Sequence, residues 1–198
     1  MSGLVLASGS PRRRAILETL GLRFMVCPSA AEERARPGEA PEAMARRLAG
    51  EKALEVARRG EIERRAFVLG ADTLVIVDGA ILGKPADDAD ARAMLDRLSD
   101  RWHEVTTGVA LAREGEAGDV LASIAVTTRV RFRRLDPARR DRYVATGEGR
   151  DKAGGYAVQG IGMGLVERLE GSCSNVVGLP AAETIDLLER HGALESWP

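Results

Sequence analysis

The run Ala66-Phe67-Val68-Leu69-Gly70 is short and almost wholly apolar, the mark of a strand buried on both faces of a sheet. A strand of that kind needs helices above and below it, and the flanking sequence supplies them. Leu4-Val5-Leu6 is another short apolar strand, followed by a small-residue loop, Ser10 as N-cap and Pro11 at the first helical position. That helix turns Ile16, Leu17 and Leu20 inward and stops at Gly21, after which Phe24-Met25-Val26 resumes as a strand. A polar loop from Ser29 to Glu39 leads into a helix from Pro41 to Arg59. Asp78-Gly79 suits a tight hairpin between Leu74–Val77 and Ala80–Leu82, and a helix over Asp88–Leu98 follows. Two long strands, Val105–Leu111 and Val120–Phe132, precede a helix that Asp136-Pro137 opens and Gly147 ends. A strand over Gly164–Leu169 and a last helix from Pro180 to Gly192 complete the pattern. Helices alternate with strands early and antiparallel pairs dominate later, which predicts an α/β class with a mixed sheet flanked by helices. At 198 residues the expectation is a single domain over residues 1–198, with one core or two halves sharing a sheet.

Charge narrows the function. Lys+Arg number 29 and Asp+Glu 30, for a net charge of −1, so a long nucleic acid is a poor default partner. No apolar run approaches the ~18–20 residues of a membrane span, and no leader pattern opens the chain. Cys27 and Cys173 have no neighbours at metal-ligand or redox-motif spacing. The expectation is a cytoplasmic protein with no membrane and no nucleic-acid partner, both thiols buried and free.

Arg12, Arg13 and Arg14 then stand out, because they occupy a first helical turn that the macrodipole already makes positive. An anionic ligand at that helix end would turn both amides and guanidinium groups into donors. A polyphosphate site and a solvated arginine run both remain open on the run alone. Asp72 stands just past the buried strand, where α/β sheets place their ligand crevices. A carboxylate there either holds a divalent cation, takes a proton from water, or merely forms a turn. Lys52 falls four residues from both Leu48 and Val56, in line with an apolar stripe, and Lys84 follows the hairpin. Such amines either reach a cleft or lie on the surface. The glycine-rich stretch from Asp151 to Gly160 ends on Gln159, whose carboxamide both donates and accepts, as the edge of a nucleobase requires. The alternative is an exposed Gln159 in a bulge. Gly171–Pro180 reads as a loop in which Ser174 and Asn175 either donate to phosphate or shape a turn. His103 and His191 are too isolated for a zinc site or a triad.

Taken together, SGSPRR from Ser8, Glu32-Glu33, Glu51-Lys52-Ala53, GADT from Gly70, GKP from Gly83, DKAGGYAVQG from Asp151 and SNVVGLP from Ser174 resemble the Maf nucleoside triphosphate pyrophosphatases, also called septum-formation inhibitors. The resemblance runs over essentially the whole chain. It implies a fold similar to the inosine triphosphatases, an elongated mixed sheet with two lobes and a central cleft. It also implies hydrolysis of a nucleoside triphosphate to the monophosphate and pyrophosphate with a divalent metal, Mg or Mn. On this sequence Asp72 would activate water, Ser8, Arg13, Lys52 and Lys84 would grip the phosphates, and Glu33 would help hold the metal. Arg12, Thr73 and Gln159 match the members acting on dTTP and UTP, whereas members preferring 7-methyl-GTP carry Trp, Gln and Glu there. Cys173 departs from the Tyr usual in the family. The alternatives are a pyrophosphatase for 7-methyl-GTP or another purine, and a nucleotide-binding regulator of cell division without turnover. A homodimer stays open.

Overall fold

In the computed structural model, which describes residues 3–113, 115 and 120–198, the apolar run at 66–70 does not end where its composition changes. It continues as one strand, β3, over Phe67–Val77. The other strands are β1 (Leu4–Leu6), β2 (Met25–Val26), β4 (Ala80–Leu82), β5 (Trp102–Arg113), β6 (Ala122–Phe132) and β7 (Val166–Glu170). The helices are α1 (Pro11–Thr19), α2 (Pro41–Ala57), α3 (Asp88–Leu98), α4 (Pro137–Ala145), α5 (Cys173–Val177) and α6 (Ala181–Arg190). Among the described residues the strands form one seven-stranded mixed sheet, ordered β2-β1-β3-β5-β6-β7, with β4 on β3. The mixed α/β class expected from the sequence is the one observed.

The chain divides into two compact units. The first comprises Met1–Asp72, Thr107–Val126 and Gly178–Pro198; the second comprises Thr73–Thr106 and Thr127–Val177.

In the first unit β1 runs parallel to β3, with Leu4 opposite Phe67 and Leu6 opposite Leu69, and parallel to β2 on its other side. Strand alternation then sorts the side chains. Leu4, Leu6, Phe67, Leu69 and Ala71 pack with Leu17 of α1 and with Leu187 and Leu188 of α6. Val5 and Val68 face the opposite way, onto Ala53 and Val56 of α2. The helix α2 lies very close to the sheet. A Cβ added at Gly70 would stand 2.1 Å from the Ala49 carbonyl oxygen, and one at Gly108 would stand 2.1 Å from that of Ala45. Only glycine permits that approach.

In the second unit Asp78 and Gly79 both have positive φ, 50° and 73°, the pair of values a two-residue type I′ hairpin demands, and Val77 pairs with Ala80 across it. Asp87 caps α3 by accepting from Asp90 N, and Asp136 caps α4 by accepting from Arg139 N. Leu95, Leu98, Phe132, Tyr143 and Tyr156 centre this unit's core. Two 3₁₀ turns, Ala153–Gly155 and Gly160–Leu165, occupy the glycine-rich stretch.

Three expectations need correcting. Asp72 does not follow the end of a strand but lies within β3, because Leu74–Val77 continue the buried run into the hairpin. The segment after Gly171 is not all loop: α5 forms there, its first turn held by Asn175 N donating to Ser172 Oγ at 3.2 Å. Five residues are too few for helical periodicity to show in sequence. Both cysteines are free, but only Cys27 is even partly covered, and Cys173 is exposed. Among the described residues no helix is long and apolar enough to cross a membrane.

Candidate active site

Alternation along β3 puts Asp72 on the face of Val68 and Gly70, the face that α2 covers. The last paired residues of β1 and β3 are Leu6 and Leu69, and Ala7 N still donates to Leu69 O at 2.8 Å. Beyond that point the β1 chain leaves for the Ser8–Ser10 loop, whereas β3 runs on. Asp72 therefore stands past the carboxyl end of its parallel neighbour even though its own strand continues. The crevice rule holds locally for the wrong strand.

The close approach of α2 at Gly70 brings Lys52 over Asp72. The two residues are 8 % and 5 % exposed, and Lys52 Nζ lies 2.6 Å from Asp72 Oδ1. Lys52 Nζ also lies 2.6 Å from Glu33 Oε1, whose side chain reaches in from the Ser29–Glu39 loop and is half exposed. That loop has no regular structure and is fastened to α2 at both ends. Glu55 accepts from Ser29 Oγ at 2.8 Å and Ala30 N at 3.0 Å. At the far end Arg47 donates to both carboxylate oxygens of Glu39, at 2.7 and 2.5 Å, and to the Arg34 carbonyl oxygen at 2.9 Å. The hydrogen bonds to Glu39, the largest cause, and to Glu51 push the Arg47 guanidinium well above its usual range. Sequence reasoning passed over Arg47, although its i,i+4 spacing to Glu51 was available.

Of the three arginines at the start of α1, one turns inward. Arg13 Nε donates to Gly178 O at 2.8 Å and Nη1 donates to Ser8 Oγ at 3.0 Å. Burial lowers the pKa of its guanidinium, Asp72 and Glu33 oppose that shift, and Arg12 adds to it. Arg13 is thus within electrostatic reach of both carboxylates. The Ser8 hydroxyl also accepts from Ser10 N at 3.3 Å, and Ser10 caps α1 as expected. Arg14 pairs instead with Glu18 at 2.7 Å on the exposed side, so the arginine run does not act as one cluster. Arg12 is half-buried in the first turn.

The first unit therefore assembles Ser8, Arg13, Glu33, Lys52 and Asp72. Thr73, Lys84 and Gln159 belong to the second unit. Thr73 is half-buried on β3, Lys84 is exposed after β4, and Gln159 is exposed at the mouth of the Gly160–Leu165 turn. Asn175 is fully buried and donates through its amide to Val105 O at 2.9 Å and Thr128 Oγ1 at 3.0 Å, tying β5 and β6 to α5.

The donor set fits a divalent cation. Two carboxylate oxygens already converge on one positive nitrogen, and hard oxygen donors are what Mg and Mn take. Among the described residues no group of three His, Cys, Asp or Glu side chains could hold a metal by itself. Phosphate and water oxygens would complete the shell, as Mg sites usually require.

The family model described as Maf-like protein matches residues 3–191. A dTTP/UTP pyrophosphatase of Anaeromyxobacter dehalogenans (strain 2CP-C) is 50% identical over 194 residues, covering 98% of this chain and 96% of that one. One from Hahella chejuensis is 48% identical over 194 residues, covering 98% and 94%. One from Halalkalibacterium halodurans is 45% identical over 192 residues, covering 97% of each. Among solved structures a HAM1 protein from Coxiella burnetii is 19% identical, with a TM-score of 0.45 over 68% of this chain and 75% of that chain.

Proposed function

The chain belongs to the family of Maf-like proteins, and from that premise we propose that it hydrolyses nucleoside triphosphates of the dTTP and UTP kind to the monophosphate and pyrophosphate. The observation that carries this is the buried Asp72 held by Lys52 beside Glu33, with Arg13 and Ser8 alongside. Relatives at 45% to 50% identity, named dTTP/UTP pyrophosphatases, support the substrate.

In the proposed reaction Asp72 takes the proton of a water molecule whose oxygen attacks the α-phosphorus. The bond from that phosphorus to the bridging oxygen breaks, and the electron pair leaves with pyrophosphate. Arg13, Lys52 and the Ser8 hydroxyl donate to phosphate oxygens. Preorganised cations act most strongly where charge develops, so they favour departure of the pyrophosphate. Glu33, opposite Asp72, would hold a divalent cation, Mg or Mn, with phosphate and water oxygens completing the shell, and such a cation would supply charge to offset that of the phosphates. The phosphate role of Lys84 and the base-selecting roles of Arg12, Thr73 and Gln159 rest on the family resemblance. Free thiols at Cys27 and Cys173 agree with a cytoplasmic, reducing setting.

The test is pyrophosphate release by the purified protein with Mg or Mn, across dTTP, UTP, CTP, purine triphosphates and 7-methyl-GTP. Fastest turnover on dTTP and UTP is expected, and Asp72→Asn lowers it by about 10²–10⁴-fold. Preference for 7-methyl-GTP would reassign the base. Stoichiometric nucleotide binding with no pyrophosphate released, under either metal, would make the protein a regulator instead.

A further inference from the structure

One carboxylate and one phenol between them fasten both sides of the loop that carries Gln159. Glu148 Oε1 accepts from Ile161 N at 2.8 Å, and Glu148 Oε2 accepts from Gly162 N at 2.7 Å and from the Tyr143 hydroxyl at 2.8 Å. The Tyr143 oxygen in turn accepts from Ala157 N at 3.1 Å. Amides before and after Val158-Gln159-Gly160 thus end on a single carboxylate–phenol pair. The fit has no slack. A Cβ at Gly160, where φ is +74°, would stand 2.2 Å from Glu148 Oε1, and one at Gly162 would stand 2.2 Å from Ala157 O and 2.8 Å from the Tyr143 hydroxyl. Glu148 is itself held through its backbone, donating from N to Thr146 Oγ1 at 3.2 Å and accepting at O from Lys152 Nζ at 2.5 Å. Burial, the larger cause, and the bond to Glu148 raise the pKa of the Tyr143 phenol, which keeps it a donor.

Gln159 itself is exposed, and an exposed side chain discriminates between ligands only if its backbone is fixed. We propose that Glu148 and Tyr143 are positioning residues for base selection: they hold the Gln159 backbone so that its carboxamide meets the donor–acceptor edge of a pyrimidine ring. This rests on the dTTP/UTP reading of Gln159 given above. A carboxylate is required because three donors converge on it, and an amide in its place would turn an N–H toward one of them.

The experiment compares kcat/KM on UTP and on GTP for the parent, Gln159→Glu, Glu148→Gln, Glu148→Asp, Tyr143→Phe and Gly160→Ala, with amide exchange at Ile161 and Gly162. Glu148→Gln and Tyr143→Phe are expected to raise KM for UTP about tenfold while kcat stays within about threefold, so that the UTP-to-GTP ratio falls about tenfold. Glu148→Asp, which keeps the carboxylate, recovers part of that ratio. Gly160→Ala crowds the clamp without removing either partner and gives the same loss, which covers the case of a Glu148 variant that fails to fold. A scaffolding role would lower turnover on both nucleotides alike and leave the ratio where it was. If Gln159→Glu moves the ratio while Glu148→Gln, Tyr143→Phe and Gly160→Ala do not, despite faster exchange at Ile161 and Gly162, the clamp proposal is overturned and the base reading survives. If Gln159→Glu itself leaves the ratio unchanged, the base reading falls and takes the clamp's purpose with it.

Discussion

Lys52 Nζ sits 2.6 Å from Asp72 Oδ1 and 2.6 Å from Glu33 Oε1, an ammonium wedged between a strand carboxylate and a loop carboxylate. Two carboxylates facing one point favour positive charge there, and in the proposed reading a divalent cation would be drawn to the same pair.

Lys52→Met tests that. Removing the ammonium leaves Asp72 buried opposite Glu33 with no cation between them, at a cost of about 3 kcal/mol. For a chain of this size that corresponds to a fall in Tm of about 6–12 °C. Added Mg is expected to recover part of the loss and to raise Tm more in the variant than in the parent. Equal Mg effects on both proteins would show that the two carboxylates do not share a cation.

Arg47 gives a separate handle on Glu33. It bridges Glu39, Glu51 and the Arg34 carbonyl oxygen, and so shapes the loop one residue from Glu33 without touching Asp72 or Lys52. Arg47→Met is expected to raise the Mg concentration for half-maximal pyrophosphate release about tenfold, with turnover at saturating Mg nearly unchanged. A drop in turnover that excess Mg does not repair would mean that the loop does more than present Glu33.

Local chemistry made much of this fold legible. Ser10-Pro11 starts α1, Asp78-Gly79 makes the I′ turn, and Asp88–Leu98 is helical over the expected residues. The spacing of Lys52 aligns it with the apolar stripe of Leu48 and Val56 but leaves a surface position open, and the structure decides for burial. What failed depended on contacts distant in the chain. Asp72 read as a strand end because Gly70-Ala71-Asp72-Thr73 breaks the apolar run, yet pairing of Val75–Val77 with β4 carries β3 through it. Nothing in the spacing of Arg12, Arg13 and Arg14 says which one turns inward, since the partner that selects Arg13 is the Gly178 carbonyl oxygen, far along the chain. The Glu148 clamp is invisible for a similar reason: besides the Tyr143 hydroxyl, its partners are the backbone amides of Ile161 and Gly162, which carry no sequence signature.

Gly70 and Gly108 should be the least replaceable small residues of the first unit. Both face α2, and an added Cβ would lie 2.1 Å from a backbone carbonyl oxygen that cannot swing aside as a flexible side chain would. Gly70→Ala or Gly108→Ala must push α2 away from the sheet, costing about 3 kcal/mol or more, as severe overpacking does. Because α2 carries Lys52, activity should fall further than the lost stability alone explains. Urea midpoints and turnover measured on the same preparations would check both, and a near-parental midpoint for either variant would contradict the close packing.

His103 predicts an acid-sensitive second unit. Its ring is 2 % exposed, packs edge-on against Phe132 and Tyr156, and meets the Tyr156 hydroxyl through Nε2 at 2.7 Å, while Nδ1 is buried without a hydrogen-bond partner. Burial lowers its pKa from 6.5 to about 4. The unfolded chain therefore takes up this proton at a higher pH than the folded one. Between the two values the unfolded state binds more protons, so stability falls as pH drops from 6.5 toward 4, by about 3 kcal/mol in all, and is unaffected by this group above that window. His103→Gln keeps a polar partner for Tyr156 but cannot charge. Its urea midpoint should accordingly change less than the parent's between about pH 7 and about pH 4.5, the difference isolating one residue from the carboxylates that titrate in both proteins. The same pH slope in parent and variant would mean that the folded protein accommodates the imidazolium, and that the Phe132–Tyr156 pocket is wetter than its packing indicates.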